Sequence, residues 1–133
     1  MTGYLLDTNI ISNLIRNPSG LAAGRIEASG YANIFTSIIV AAKLRYGAAK
    51  KGSPRLQAAI ESVLETVPVL PLEMPADVEY GRIRAELEAA GMIIGGNDLL
   101  IAAHASALNL TLVTDNVREF CRISGLKVEN WLE

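Results

Sequence analysis

The sequence has only one cysteine, Cys121, so no internal disulfide can form and a reducing cytoplasm is the expected setting. Positive charge is not in excess either. Twelve Lys and Arg stand against fourteen Asp and Glu, for a net charge of −2, which excludes a protein that coats nucleic acid through bulk positive potential. Any nucleic acid must be met locally, and five of the twelve cations do fall between residues 43 and 55 (Lys43, Arg45, Lys50, Lys51, Arg55). From charge alone that cluster reads equally as a phosphate-contacting patch and as a solvated helix face. No long apolar run is present. The richest stretch, residues 99–113, is interrupted by His104, Ser106, Asn109 and Thr111, short of the roughly 18 residues a membrane span needs. The opening Met1-Thr2-Gly3-Tyr4 has neither a basic segment nor a small-residue cleavage site, so no secretory leader is expected. What the chain does have is an apolar half and a charged fifth of its 133 residues, enough for one packed domain over 1–133. It shows no repeat and no linker.

Apolar clusters and breakers alternate along the chain. Residues 4–6 form a short apolar run before Asp7, after which Ile10, Ile11, Leu14 and Ile15 return at helical spacing. Pro18 and Ser19 open a second helix through about residue 28, stopped by Gly30, and residues 32–35 read as a buried strand. Ser37 is placed to cap a helix running to residue 50, and a Gly-Ser-Pro loop precedes a helix over 54–65. Pro68 and Pro71 in the 67–72 strand suggest a sheet edge. Pro75 starts a helix over 76–90 that Gly91 ends, and Asn97 is placed to cap the next, through 108. A strand over 110–113, a short helix over 116–122 and a strand over 126–128 complete the chain. Strands that are continuous apolar runs, linked by helices, indicate an α/β fold with a mostly parallel sheet covered on both faces. Its working cleft is expected beyond the carboxyl ends of the strands.

Acids gather at that edge. Asp7 follows the first strand, Asp115 follows the 110–113 strand, and Asp98 opens the helix after Gly95-Gly96-Asn97. Each one taken singly is explained by the preference of aspartate for helix N-termini. Together, unpaired carboxylates repel and raise one another's pKa unless a cation joins them, and magnesium or manganese suits an all-oxygen site for phosphodiester hydrolysis. Glu119 lies four residues after Asp115, on the same helical face, either as an outer member of the site or as a solvated side chain.

Four blocks in order, Leu5-Leu6-Asp7-Thr8-Asn9, Leu44-Arg45-Tyr46-Gly47-Ala48, residues 95–102 (Gly-Gly-Asn-Asp-Leu-Leu-Ile-Ala) and Leu112-Val113-Thr114-Asp115-Asn116, give a chain that resembles the PIN-domain toxins of VapC type over essentially its whole length. The resemblance implies a three-layer PIN-like sandwich and a Mg²⁺- or Mn²⁺-dependent endoribonuclease, the toxin of a toxin–antitoxin pair. Enteric-type relatives act on the anticodon stem-loop of initiator tRNA. It further implies a homodimer and a VapB-type antitoxin whose tail occupies the cleft and places a basic side chain among the acids. Carried over by position, Asp7 and Asp98 would be metal carboxylates, Asp115 and Glu119 would complete the acidic end, and Asn9, Thr114 and Asn116 would orient them or contact phosphate. Arg45 would hold the RNA backbone.

One position departs from that pattern. Before Leu44-Arg45-Tyr46-Gly47 the family usually carries glutamate, and here the residue is Lys43. On a helix, residue 43 shares its face with Ile39, Val40, Tyr46 and Gly47, so its ammonium starts from an apolar surface where an unpaired charge is expensive. Pairing with the acidic cluster is the expectation, with suppressed metal binding and cleavage as its consequence; the alternative is a lysine that snorkels to solvent. His104 reads as a packing histidine and Cys121 as a passive thiol, since neither has an activating neighbour in sequence. Trp131 and Tyr46 are candidates for stacking on an RNA base or for filling core and dimer surface. The Gly95-Gly96 pair lacks the lysine of a phosphate loop and reads as a tight turn. Surplus Ile, Leu and Ala on the helices at 10–15, 20–28 and 38–49 can supply a dimer seam or an antitoxin groove. Two other readings stay open: a haloacid-dehalogenase-like phosphatase, against which Asn9 counts because that chemistry wants Asp there, and a catalytically silent module that binds a partner.

Overall fold

The computed structural model describes residues 3–133; Met1 and Thr2, which open the leaderless start read from the sequence, lie outside the described residues. β1 (Tyr4–Leu6) leads into α1 (Thr8–Arg16) and α2 (Leu21–Ser29), followed by β2 (Ile34–Ser37), α3 (Ile38–Lys51) and α4 (Pro54–Thr66). β3 (Val69–Leu70), α5 (Ala76–Ala89), α6 (Gly96–Ala107), β4 (Thr111–Val113), α7 (Val117–Phe120) and β5 (Val128–Glu129) follow. The five strands form one parallel sheet in the order β3-β2-β1-β4-β5. β3 is an edge strand, where the prolines on either side cost no ladder bond.

β1 is central because it has the most to bury. Leu5 and Leu6 are fully inaccessible, one to each face of the sheet, and meet Ile10, Ile11, Ile34, Ile101, Leu112 and Val113 in one continuous core. The chain crosses to β2 on one side of β1 and reaches β4 on the other, so strand order reverses at β1. A crevice opens at such a reversal, beyond the carboxyl ends of the strands. Two hydrogen bonds fix its floor: the Asp7 N–H donates to the Val113 carbonyl at 2.9 Å, and the buried Thr36 hydroxyl donates to the Leu6 carbonyl at 2.7 Å.

Local chemistry moves some boundaries from the sequence expectation. Residues 31–33 form a 3-10 turn, so β2 starts at Ile34 and not at residue 32; Gly30, at φ 82°, turns the chain into that turn. α6 is capped by Gly95 and not by Asn97, which sits exposed inside the first turn, while Asp98 complements the helix dipole there. Ser37 caps α3 by accepting from the Ile39 N–H at 3.0 Å, and Ser53 caps α4 by accepting from the Leu56 N–H at 3.2 Å. Among the described residues no helix is long and apolar enough to cross a membrane.

Trp131 is completely buried, its ring 4.9 Å from that of Tyr4 and its indole N–H donating to Glu129, which leaves it no face for RNA. Tyr46 remains exposed. His104 is buried, with Nδ1 2.8 Å from the Ser37 hydroxyl and Nε2 facing the Pro71 carbonyl without a formed hydrogen bond. Burial lowers its pKa below the ordinary 6.5. Because the unfolded chain binds that proton more readily, the stability contributed by the neutral ring is complete above pH 6.5 and is lost as pH falls toward the folded value. The urea midpoint is therefore expected to fall below pH 6.5 in the parent and to fall less in His104→Gln; equal slopes would show that the ring is not held neutral.

Candidate active site

Asp7 caps α1 at the end of β1 and is 4 % exposed. Its Oδ1 accepts from the Thr8 N–H at 2.7 Å and its Oδ2 from the Thr114 hydroxyl at 2.8 Å. Thr114, buried at the end of β4, also accepts from the Asn116 N–H at 3.0 Å, so one hydroxyl ties β4, the α7 entry and Asp7 together. The Asn116 amide then donates to Glu119 Oε2 at 3.0 Å, and the Gly95 N–H reaches Glu119 Oε1 at 3.4 Å. These contacts hold α7 against the start of α6, where Asp98 sits partly buried.

Asp98 and Glu119 act on each other's ionisation, in opposite directions. The Asp98 pKa is pushed up to about 6, first by burial, then by the hydrogen bond and charge of Glu119, then by the charge of Asp7; the ammonium of Lys43 pulls the other way. Burial works against the charge on Glu119 as well, but Asn116, Asp98, the Gly95 N–H and Arg122 together bring its pKa below the ordinary range. Of the two, Asp98 is therefore the first to bind a proton as pH falls. Asp7, Glu119 and Lys43, far apart in sequence, thus all act on Asp98.

Three of the expected site residues have other immediate surroundings than the sequence suggests. Asp115, expected among the metal carboxylates, is exposed, and its Oδ1 accepts from the Asn9 amide at 2.7 Å; Glu119 takes the place beside Asp98. Arg45, expected on the RNA backbone, forms an ion pair with Glu61 of α4, on the outward side of α3. Lys43 acts on Asp98 through space, yet among the described residues it forms no ion pair. Lys43 also borders a cavity with Thr8, Ser12 and Arg16. Asn9 and Asn116, by contrast, each hold one acid by its carboxylate.

Asp7, Asp98 and Glu119 are hard oxygen donors of the kind that hold Mg²⁺ or Mn²⁺. Burial first, then Glu119 and the charge of Asp7, raise the Asp98 pKa to about 6, and such an ion relieves the part of this that is repulsion. In the rotamers present, however, no three His, Cys, Asp or Glu side chains among the described residues converge tightly enough to grip an ion. The donor chemistry fits a divalent cation, in competition with the positive charge of Lys43.

Residues 4–126 match the PIN domain. The chain is 42 % identical over 130 residues to Ribonuclease VapC2 of Rickettsia felis, covering 96 % of this chain and 97 % of that protein. It is 36 % identical to the tRNA(fMet)-specific endonuclease VapC of Shigella flexneri, covering 98 % and 99 %. Among solved structures, DNA-bound VapBC from Salmonella typhimurium superposes with a TM-score of 0.91 at 36 % identity, over 98 % of this chain and 99 % of that one.

Proposed function

The chain belongs to the PIN-domain family, among its VapC-type toxin–antitoxin endoribonucleases, and from that premise we propose that it is a Mg²⁺- or Mn²⁺-dependent RNA hydrolase whose cleavage is impaired by Lys43. The observation that supports this reading is the grouping of Asp98 with Glu119 and Asp7, whose charges add to burial in raising the Asp98 pKa and would be offset by a bound cation. The family match sets aside the dehalogenase-like phosphatase. The silent binding module survives as the limiting case in which Lys43 abolishes cleavage altogether.

Asp7 and Asp98 would hold the ion, with Glu119 completing the set. When bound, the ion polarises a phosphodiester oxygen and makes a water more acidic. The residues of this chain prepare that site. Thr114 and the Thr8 N–H fix the rotamer of Asp7, so that no reorganisation is needed when charge develops. Asn116 and the Gly95 N–H orient Glu119 from behind. Asp98 becomes a full anion only above about pH 6, so occupancy rises through that pH. Lys43 adds a positive charge to the same face and opposes the ion at every pH where the site could load.

The relative from Shigella flexneri is named for its tRNA(fMet) specificity, which makes initiator tRNA the first substrate to try, cut in its anticodon loop. A VapB-type antitoxin, a homodimer and a cytoplasmic setting complete the proposal; Leu21, Ile38 and Tyr46 are exposed on the helices read as carrying surplus apolar side chains. The test incubates purified chain with initiator tRNA and with an elongator tRNA, with Mn²⁺ and with EDTA. Slow cleavage of the initiator tRNA that EDTA removes is the expected result. Cleavage that persists in EDTA defeats the metal requirement, and equal cutting of both tRNAs defeats the substrate assignment.

A further inference from the structure

Thr8, Ser12 and Arg16 follow one another at four-residue spacing along α1, and Lys43, Gly47 and Lys51 do the same along α3. Each set therefore forms one row about 12 Å long on its helix. The two rows border one cavity of about 320 Å³, floored by apolar side chains such as Leu44 and Ile60. Arg16, Lys43 and Lys51 are three of the eight Lys and Arg that make no ion pair among the described residues. Their place sets these three apart: in a chain of net charge −2, they line one groove.

Two further features shape the groove. The Thr8 hydroxyl oxygen is buried and has no hydrogen-bond partner. Gly47 lies inside α3, where glycine costs about 1 kcal/mol relative to alanine, and a Cβ there would meet nothing within 4 Å. Neither backbone conformation nor packing inside this chain requires that glycine, and its absent side chain keeps the middle of the groove open to another molecule.

We infer that this groove holds the phosphate backbone of single-stranded RNA on one side of the cleavage centre. The inference rests on the ribonuclease reading and adds where the substrate strand runs. Thr8 directly follows Asp7, and Lys43, whose charge acts on Asp98, borders the same groove, so the groove adjoins the acidic centre. Asp115 and Glu119 on the α7 side repel a phosphate chain, and the cation-lined groove is the approach that attracts it. Ammonium, guanidinium and hydroxyl donors match phosphodiester oxygens, and an apolar floor accepts ribose and base faces. Lys43 borders both the acids and the groove. In place of a carboxylate toward the ion it gives an ammonium toward the strand, which favours RNA retention over cleavage.

The test measures fluorescence anisotropy of an unstructured oligoribonucleotide of roughly 12 nucleotides in EDTA, over about 50–200 mM salt. Arg16→Ala and Lys51→Ala are each expected to weaken binding several-fold at the lowest salt and to reduce the log–log salt slope by about 0.7. Lys50→Ala, which removes the same charge from the outward side of α3 beside Tyr46, leaves the slope unchanged. Thermal melts confirm that the variants fold. Unchanged slopes in Arg16→Ala and Lys51→Ala overturn the inference, as does equal weakening by Lys50→Ala. So does a groove that binds an acidic, apolar peptide but no RNA, since it then serves a protein partner. If the groove variants bind normally while Lys43→Glu cleaves RNA with Mn²⁺, the groove assignment fails alone. If they lose RNA while Lys43→Glu stays inert, the ribonuclease reading fails and the groove stands.

Discussion

Lys43→Glu is expected to raise Mn²⁺-dependent RNA cleavage by about two orders of magnitude or more and to create a calorimetrically detectable Mn²⁺ site. The reason is charge of the wrong sign in a crowded place. Asp98 already feels the ammonium of Lys43, so a dication bound to the same carboxylate feels it too. A unit charge and a dication about 6 Å apart interact by about 5 kcal/mol at an effective dielectric of 20, and water reduces this to a few kcal/mol. Removing that repulsion and adding an attractive carboxylate both favour loading. Without metal, the same substitution places a further anion beside Asp7, Asp98 and Glu119, so the metal-free variant is expected to melt lower than the parent. Mn²⁺ should then raise its Tm while leaving the parent nearly unmoved, a readout independent of catalysis. Equal Mn²⁺ affinity and equal cleavage in the two proteins would falsify the role given to Lys43.

The scaffold of this site was legible wherever local chemistry decides. Apolar runs before Asp7 and Thr114 specified the strands β1 and β4, and the fourfold return of Ile10, Ile11, Leu14 and Ile15 specified α1. Continuous apolar strands separated by helices specified a parallel sheet, whose strand reversal then placed Asp7 in the crevice. Contacts between elements were not legible. Whether Asp115 or Glu119 faces Asp98 depends on the turn at Asn116, a matter of one backbone reversal that residue type does not announce. Arg45 was read toward the cleft because it lies in a site motif, but α4 packs beside α3 and offers Glu61 first. The surroundings of Lys43 are likewise set by tertiary contacts: its charge acts on Asp98, the residue also borders the α1 groove, and among the described residues it closes no ion pair. The signal for the groove was present as the parallel spacings 8, 12, 16 and 43, 47, 51, but only the tertiary fold brings the two helices together.

Asp98→Asn is expected to stabilise the protein by about 1–2 kcal/mol at pH 7.5 while destroying whatever cleavage Lys43→Glu gains. A carboxyl whose folded pKa is raised above its ordinary value favours the folded state most when protonated. Its contribution is full below about pH 4 and is lost as pH rises to about 6. Above that pH the Asp98 anion stands against Glu119 and Asp7 with Lys43 as partial relief, a cost tempered by its partial exposure to water. Asparagine keeps the shape and a donor for Glu119 but never carries the charge. The gain in stability should therefore be near zero at pH 4, grow through pH 5 and 6, and level off by pH 7, which urea unfolding of the two proteins across that range measures directly. A gain that is independent of pH would locate the effect in packing, and a loss at pH 7.5 would show that Asp98 is compensated in the folded chain. The expected pattern is that of a side chain retained against stability for the charge it presents to a ligand, and in this chain Lys43 partly offsets that charge before any ligand arrives.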